Sequence, residues 1–212
     1  MTKHLFLDFD GTLVDSRRRQ YDLFRELVGE DRFTFEQYWH HKHLGANQAV
    51  MLSEHYGYSE DQRAAFKKAW LEEIESPRRL ETDVLFPCTP EFLGAASRHF
   101  ALYLVTARQH HDCLVEQMSR LEILHYFTGI LNTAQRISKA DLVRKTVEVG
   151  ADDVFVGDTG EDILAGKNLG ITAVGTASGV MSIDRLKKYS PDLLVNSVAE
   201  LLPAILYAKS TS

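Results

Sequence analysis

Two aspartates, Asp8 and Asp10, follow a short apolar run near the N-terminus and are themselves followed by Gly11. Glycine gives a turn the conformational freedom that lets both carboxylates reach one site. Neighbouring carboxylates repel each other unless a cation or a shared proton relieves them, and Mg²⁺ prefers such hard oxygen ligands. One carboxylate can attack phosphorus, while the second can protonate the leaving oxygen and later deprotonate the attacking water. Magnesium-assisted phosphoryl transfer is therefore the candidate chemistry of this segment.

The elements that must position these carboxylates alternate between strand and helix. Short segments rich in Val, Ile, Leu and aromatic residues predict five buried strands, at 4–9, 101–107, 129–133, 153–158 and 171–176, with a sixth possible at 192–197. Helical patterns lie between the later strands, at 109–121, 138–149 and 160–169. This alternation predicts an α/β fold with a mostly parallel sheet, whose ligand crevice lies at the carboxyl ends of the strands. The acidic and hydroxyl residues at those ends are Asp8, Asp10, Thr106 and Asp158.

A long insertion separates the first predicted strand from the second. The gap runs from about residue 10 to about residue 100, whereas a simple βαβ unit takes ~30 residues in all. Apolar positions recur within it at helical spacing, for example Phe66, Ala69, Trp70 and Ile74. We therefore predict a small all-helical domain of about four helices at 15–83, inserted into a core formed by 1–14 and 84–212.

Four segments in chain order resemble the motifs of the haloacid-dehalogenase superfamily of hydrolases. The segment DFDGTLVDS at 8–16 resembles the first motif, and LVTAR at 104–108 resembles the second. Lys139 in ISKADLV stands where the third motif has its lysine, and VGDTGEDI at 156–163 resembles the fourth. The insertion and the fourth motif are similar to those of the phosphoglycolate-phosphatase-like branch of subfamily I, with a helical C1 cap. The resemblance implies a Rossmann-like parallel sheet core with an all-helical cap domain inserted after its first strand.

The resemblance implies that the acidic residues catalyse the reaction and bind the metal ion. Asp8 is the expected nucleophile and a ligand of Mg²⁺. Asp10 is the expected general acid/base, and its backbone carbonyl is a further metal ligand. Asp158 is expected to hold Mg²⁺ directly or through water, with Asp162 in support. These roles agree with phosphoryl transfer, in which positioning and charge neutralisation supply most of the catalysis.

The other motif residues are expected to bind the phosphoryl group. The resemblance implies that Thr106 donates a hydrogen bond to it and that the position of Ala107 offers its backbone N–H. Lys139 is expected to neutralise the charge of this group and to restrain the nucleophile. Ala140 follows Lys139 where the family usually has proline, and the nearby Arg136 is an alternative phosphate ligand.

Basic and imidazole residues of the insertion are weaker candidates. Three arginines at 17–19 begin the insertion, and guanidinium groups suit carboxylate and phosphate. Arg17 is therefore a candidate substrate contact, with a solvated helical face as the alternative. His40, His41 and His43 favour a solvated or partly packed helix over a metal site, because such closely spaced positions do not converge well on one ion.

The composition limits the partners of the chain. Of 212 residues, 44% are hydrophobic and 25% are charged, an ordinary globular balance, and the formal charge of −6 argues against a broad nucleic-acid-binding surface. The two cysteines show no metal-ligand spacing and favour reduced thiols. The sequence has neither a signal-peptide pattern nor an apolar run of ~18 residues, so we expect a cytoplasmic protein without a membrane partner. No sequence feature determines the oligomeric state, for which a monomer or a homodimer is expected.

The leading hypothesis is a magnesium-dependent phosphatase that acts on a small phosphorylated metabolite through an aspartyl-phosphate. Asp10 argues against a haloacid dehalogenase, because attack at carbon needs no acid for a phosphate ester's leaving group. The same residue disfavours a phosphonoacetaldehyde hydrolase. A sugar-phosphate mutase similar to β-phosphoglucomutase would keep both aspartates and stays open. A non-catalytic regulator would be expected to lose Asp8, Asp10, Lys139 or Asp158, and all four are present.

Overall fold

The computed structural model describes residues 2–207, which fall into two compact units. Within these residues, one unit comprises 2–15 and 84–207, and the other comprises 16–83. The last part of the predicted core, 208–212, lies outside the described residues. None of the helices in the described part of the chain is long and apolar enough to cross a membrane.

Strands and helices have the following bounds. The strands are β1 (His4–Leu7), β2 (Val14–Asp15), β3 (Val84–Leu85), β4 (Ala101–Thr106), β5 (Phe127–Asn132), β6 (Val154–Gly157), β7 (Thr172–Thr176) and β8 (Leu193–Val195). The helices are α1 (Arg17–Val28), α2 (Phe35–Leu44), α3 (Gln48–Tyr56), α4 (Glu60–Glu73), α5 (Pro77–Leu80), α6 (Thr89–Ala96), α7 (His111–Arg120), α8 (Lys139–Thr146), α9 (Gly160–Leu169), α10 (Ile183–Leu186) and α11 (Leu201–Tyr207). Short 3₁₀ turns occur at Leu124–Tyr126, Lys187–Tyr189 and Val198–Glu200.

Six parallel strands form one sheet in the order β5–β4–β1–β6–β7–β8, which confirms the predicted α/β fold class. The sixth possible strand is present as β8. From β1 the chain goes to β4 and β5 on one side, then crosses to β6 on the other side. Ligand crevices of open α/β sheets lie at such a reversal of strand order. β2 and β3 form a separate antiparallel pair at the two points where the chain leaves and re-enters this unit.

β1 lies in the middle of the sheet because its residues are apolar on both faces. Leu5, Phe6 and Leu7 are fully buried. Successive side chains of a strand alternate between faces, so Leu5 and Leu7 join one hydrophobic cluster while Phe6 joins the cluster on the opposite face. The apolar run stops at Asp8. The first acidic residues therefore emerge at the carboxyl end of the central strand.

The 16–83 unit has an aromatic core. Phe24 of α1 packs against Tyr38 of α2 and Phe66 of α4, with ring centroids 4.9 and 5.7 Å away. Thr34 and Ser59 begin α2 and α4 with reciprocal capping boxes, which satisfy N–H groups that a helix start leaves unpaired. The helices α1 to α4 have 12, 10, 9 and 14 residues, and α5 adds a turn of four.

Candidate functional site

The chain makes a tight turn directly after β1. The carbonyl of Phe9 accepts hydrogen bonds from the backbone N–H groups of Leu13 and Val14, at 3.0 and 3.1 Å. Gly11 has a φ of +82°, which favours glycine, and a Cβ placed there would lie 2.5 Å from Oδ2 of Asp158. Gly11 therefore allows both the turn and the close approach of the Asp158 carboxylate.

Lys139, the first residue of α8, joins two carboxylates in the interior of the α/β unit. Its Nζ lies 2.5 Å from Oδ1 of Asp8 and 2.6 Å from Oδ1 of Asp162. The other oxygen of Asp162 accepts hydrogen bonds from the backbone N–H and the hydroxyl of Thr159, at the start of α9. Lys139 is 4% exposed and Asp162 is fully buried, so these charges interact with little screening.

Asp8, Asp158 and Asp162 form what we call the aspartate cluster, in which one carboxylate oxygen from each residue lies within 4.8 Å of the others. Burial and the neighbouring carboxylate of Asp162 raise the pKa of Asp8 from 3.8 to about 7, against the opposing effect of Lys139. Burial and the carboxylate of Asp8 also raise the pKa of Asp158 well above 3.8. Burial by itself lowers the pKa of Lys139, but Asp162 and Asp8 raise it above its usual range. The aspartate cluster thus holds more acid than its one ammonium group balances.

The aspartate cluster fits a divalent cation. Oδ2 of Asp158 accepts a hydrogen bond of 2.6 Å from the backbone N–H of Val180. Its Oδ1 is buried and has no hydrogen-bond partner among the residues that the structure describes. A buried carboxylate oxygen without a partner is costly, and a hard cation such as Mg²⁺ would satisfy it. Asp8 and Asp158 are therefore suitable ligands, with Asp162 in support.

The carboxylate of Asp10 lies in a different arrangement from the one we expected for paired aspartates. Nε and Nη2 of Arg108 donate to its two oxygens at 2.6 and 2.9 Å, and the Asp10 side chain is 24% exposed. An arginine thus relieves the charge that the sequence interpretation gave to a cation or a shared proton. Sequence reasoning did not assign a role to Arg108. The available signal was its position just past β4, because the carboxyl ends of neighbouring parallel strands meet at one edge.

The expected phosphoryl-binding residues lie at the carboxyl end of β4. Thr106 is the last residue of that strand and is 2% exposed. The N–H of Thr133 donates to its carbonyl at 2.9 Å, which ties the loop after β5 to β4. Ala107 borders an open cleft of about 510 Å³. The other residues that line the cleft are Thr133, Gln135, Arg136, Ile137, Ser138 and Glu161.

The arginine run and the histidines belong to the helical unit. Arg17 is the first residue of α1. Arg19 is not part of a solvated face: it is 3% exposed, and its guanidinium donates to Oδ1 of Asp83 and to the carbonyl of Ile74, both at 3.0 Å. The ring of His41 packs near that of His55, with centroids 4.8 Å apart. Among the described residues, groups of three potential ligands occur only at the aspartate cluster.

A family model described as haloacid dehalogenase-like hydrolase matches residues 5–176 of the chain. The phosphoglycolate phosphatase of Escherichia coli (strain K12) is 25% identical over an alignment of 235 positions, which covers 93% of this chain and 90% of that protein. The phosphoglycolate phosphatase of Salmonella typhimurium (strain LT2) is 26% identical with the same coverage. The family match spans all four motif segments.

Solved structures show the same fold. A haloacid dehalogenase-like family hydrolase of Streptococcus pneumoniae superposes with a TM-score of 0.79 at 22% identity, covering 95% of this chain and 97% of that one. A predicted phosphoglycolate phosphatase of Haemophilus somnus superposes with a TM-score of 0.73 at 20% identity, with coverage of 95% and 97%. At these identities the likeness concerns the fold alone.

Proposed function

Because the chain belongs to the haloacid dehalogenase-like hydrolase family, we propose that it is a magnesium-dependent phosphatase that releases phosphate from a small metabolite through an aspartyl-phosphate on Asp8. The family prediction made from the four motifs is confirmed by the match over residues 5–176. The names of the relatives support an enzyme of the phosphatase class. The proposed substrate is a small molecule, since the acidic charge of the chain does not favour nucleic acid.

The contact between Lys139 and Asp8 carries the proposal. A carboxylate must be held still and partly neutralised before it can approach a phosphate dianion. Nζ of Lys139 lies 2.5 Å from Oδ1 of Asp8 and is itself fixed by Asp162. A buried lysine shared by two acids at the end of the central strand suits the binding of an anion to be attacked there.

The proposed reaction has two steps. In the first, an oxygen of Asp8 bonds to phosphorus, the bond from phosphorus to the leaving oxygen breaks, and a proton from Asp10 goes to that oxygen. In the second, water attacks phosphorus, its proton goes to Asp10, and the bond to Asp8 breaks to release phosphate. Thr106 and the N–H at Ala107 are the proposed ligands of the phosphoryl oxygens, together with Lys139.

The carboxylates of Asp8 and Asp158 and the backbone carbonyl of Asp10 are the proposed ligands of Mg²⁺. When bound, the ion would neutralise charge on the phosphoryl oxygens. The orphaned Oδ1 of Asp158 supports this assignment. Arg17 remains a predicted contact for an anionic group of the substrate, and the cytoplasmic location and the monomeric or dimeric state remain predictions.

The relatives direct the choice of substrates. Several are named phosphoglycolate phosphatases, so 2-phosphoglycolate is the first compound to test. Purified protein with Mg²⁺ should be offered a panel of phosphorylated metabolites, with p-nitrophenyl phosphate as a generic monoester, and the released phosphate measured. We expect release from at least one metabolite, and its loss both in EDTA and in the Asp8→Asn variant.

Two outcomes would contradict the proposal. Conversion of a sugar phosphate to its isomer, without phosphate release, would favour the mutase. Phosphate release that persists in Asp8→Asn would exclude Asp8 as the nucleophile. Acid-quenched wild-type protein should also carry a phosphoryl group on Asp8, which peptide mass spectrometry can detect.

A further inference from the structure

The guanidinium of Arg108 forms a two-pronged contact with Asp10, the proposed general acid/base. Nε and Nη2 donate to Oδ2 and Oδ1 of the carboxylate at 2.6 and 2.9 Å. Two parallel hydrogen bonds fix the plane of a carboxylate as well as its position. Lysine could not do this, because its ammonium is a point charge on a flexible stem.

Arg108 is itself held in place. It is 5% exposed, and its guanidinium carbon lies 5.6 Å from the centroid of the fully buried ring of Phe9. Its carbonyl accepts a hydrogen bond of 3.2 Å from the N–H of Ala134, in the loop after β5. A side chain fixed by burial, an aromatic face and its own backbone can hold its partner in one orientation.

From this geometry we infer that Arg108 is a positioning residue that orients the carboxylate of Asp10 toward the leaving oxygen. The inference rests on the proposed phosphatase function. Each oxygen of the Asp10 carboxylate accepts one hydrogen bond from the same guanidinium, so the contact fixes the orientation of the whole group. Asp10 would therefore exchange a proton with the leaving oxygen from one fixed orientation, which Arg108 maintains.

Aryl phosphates provide the test, because they differ in the basicity of the leaving oxygen but little in shape. p-Nitrophenolate leaves readily without a proton, whereas unsubstituted phenolate depends more on the general acid. We would measure kcat/KM for p-nitrophenyl phosphate and phenyl phosphate, since kcat/KM reports the steps through loss of the leaving group. In Arg108→Met, which keeps the packing on Phe9, the p-nitrophenyl to phenyl ratio should rise at least about 10-fold.

Three variants complete the experiment. Arg108→Lys should give a ratio between those of the wild type and Arg108→Met. Asp10→Asn should raise the ratio at least as much as Arg108→Met does, and adding Arg108→Met to Asp10→Asn should change it no further, as expected for residues that act as a unit. Arg79→Met is the matched control: it removes another buried, ion-paired arginine, in the helical unit, and should leave the ratio unchanged.

The failures are distinguishable. Equal losses with both esters in Arg108→Met would mean a structural role and overturn the inference. A further change of the ratio in the Asp10→Asn background would mean that Arg108 acts directly on the substrate, which also overturns it. A wild-type protein that releases no phosphate from any monoester would overturn the proposed function and the inference together.

Discussion

Each of the two units contains a buried group of ion-paired side chains, and the two groups differ in charge balance. In the helical unit, Arg19 faces Asp83 in a pair whose side chains are 2% and 0% exposed. In the α/β unit, Lys139 is bonded to Asp8 and Asp162, and Asp158 adds a third carboxylate within 4.8 Å.

This difference separates a structural ion pair from a site built to bind. A buried pair of opposite charges stabilises one packing arrangement, at the cost of desolvation. The aspartate cluster has surplus acid, an orphaned oxygen on Asp158 and raised pKa values at Asp8 and Asp158. Such perturbed groups are typical of functional sites, and the surplus charge is available to a cation.

Loss of the nucleophile should have the largest effect on activity, without the loss of stability that is expected when a structural ion pair is broken. In Asp8→Asn we expect turnover to fall by about 10⁴-fold or more, because an amide is a poor nucleophile toward phosphorus. The same change removes one of the crowded acids, so urea unfolding without metal should show equal or greater stability. An Asp8→Asn protein that is both inactive and less stable than the wild type would contradict the contrast between the two groups.

Removal of one partner of the structural pair should, in contrast, lower the free energy of unfolding. Arg19→Met removes the guanidinium that donates to the buried carboxylate of Asp83, and we expect a loss of about 3–5 kcal/mol in the free energy of unfolding. The double variant Arg19→Met with Asp83→Leu should recover most of this loss, because the buried carboxylate is removed together with its guanidinium partner. If the double variant is no more stable than Arg19→Met, packing rather than charge determines the stability of this pair.

The sheet and the acidic end of β1 could be predicted from sequence because local patterns determine them. A continuous apolar run that stops at Asp8 indicates a central strand and the end of that strand at once. The α/β fold class followed, since strands and helices alternate. Observed strand ends differ from the predicted ones by up to two residues: β1 ends at Leu7 and β5 starts at Phe127. A strand ends where the hydrogen bonds of the following turn begin. Composition shows only which residues of the segment are apolar, so it does not determine this end point.

The partners of the charged residues could not be predicted in the same way. Arg19 has the same residue type as Arg17 and Arg18, and it is buried because Asp83 lies opposite it, 64 residues later. Arg108 meets Asp10 across 98 residues. Both contacts depend on how distant elements pack, which no local pattern encodes.

The raised pKa of Asp8 predicts that stability depends on pH with a definite sign. Between about pH 4 and pH 7 the folded protein keeps a proton on Asp8 that the unfolded chain has released. This protonation stabilises the folded state at low pH, and the stabilisation is lost as the pH rises through about 7. Urea unfolding in EDTA should show a loss of about 2–3 kcal/mol from pH 5 to pH 8 in the wild type relative to Asp8→Asn. Parallel pH profiles for the two proteins would mean that Asp8 ionises at its ordinary pKa.

Binding of Mg²⁺ should give the smallest effect and the most direct comparison of the two groups. At pH 8 and tenfold above its dissociation constant, Mg²⁺ should stabilise the wild type by about 1.4 kcal/mol, seen as a rise in Tm. The rise should shrink at pH 5, where protons compete for the carboxylates, and it should be lost in Asp158→Asn. Arg19→Met should start from a lower Tm and keep the full rise, because the change leaves the three carboxylates of the aspartate cluster in place. A rise that survives unchanged in Asp158→Asn would overturn the assignment of the ion to the aspartate cluster.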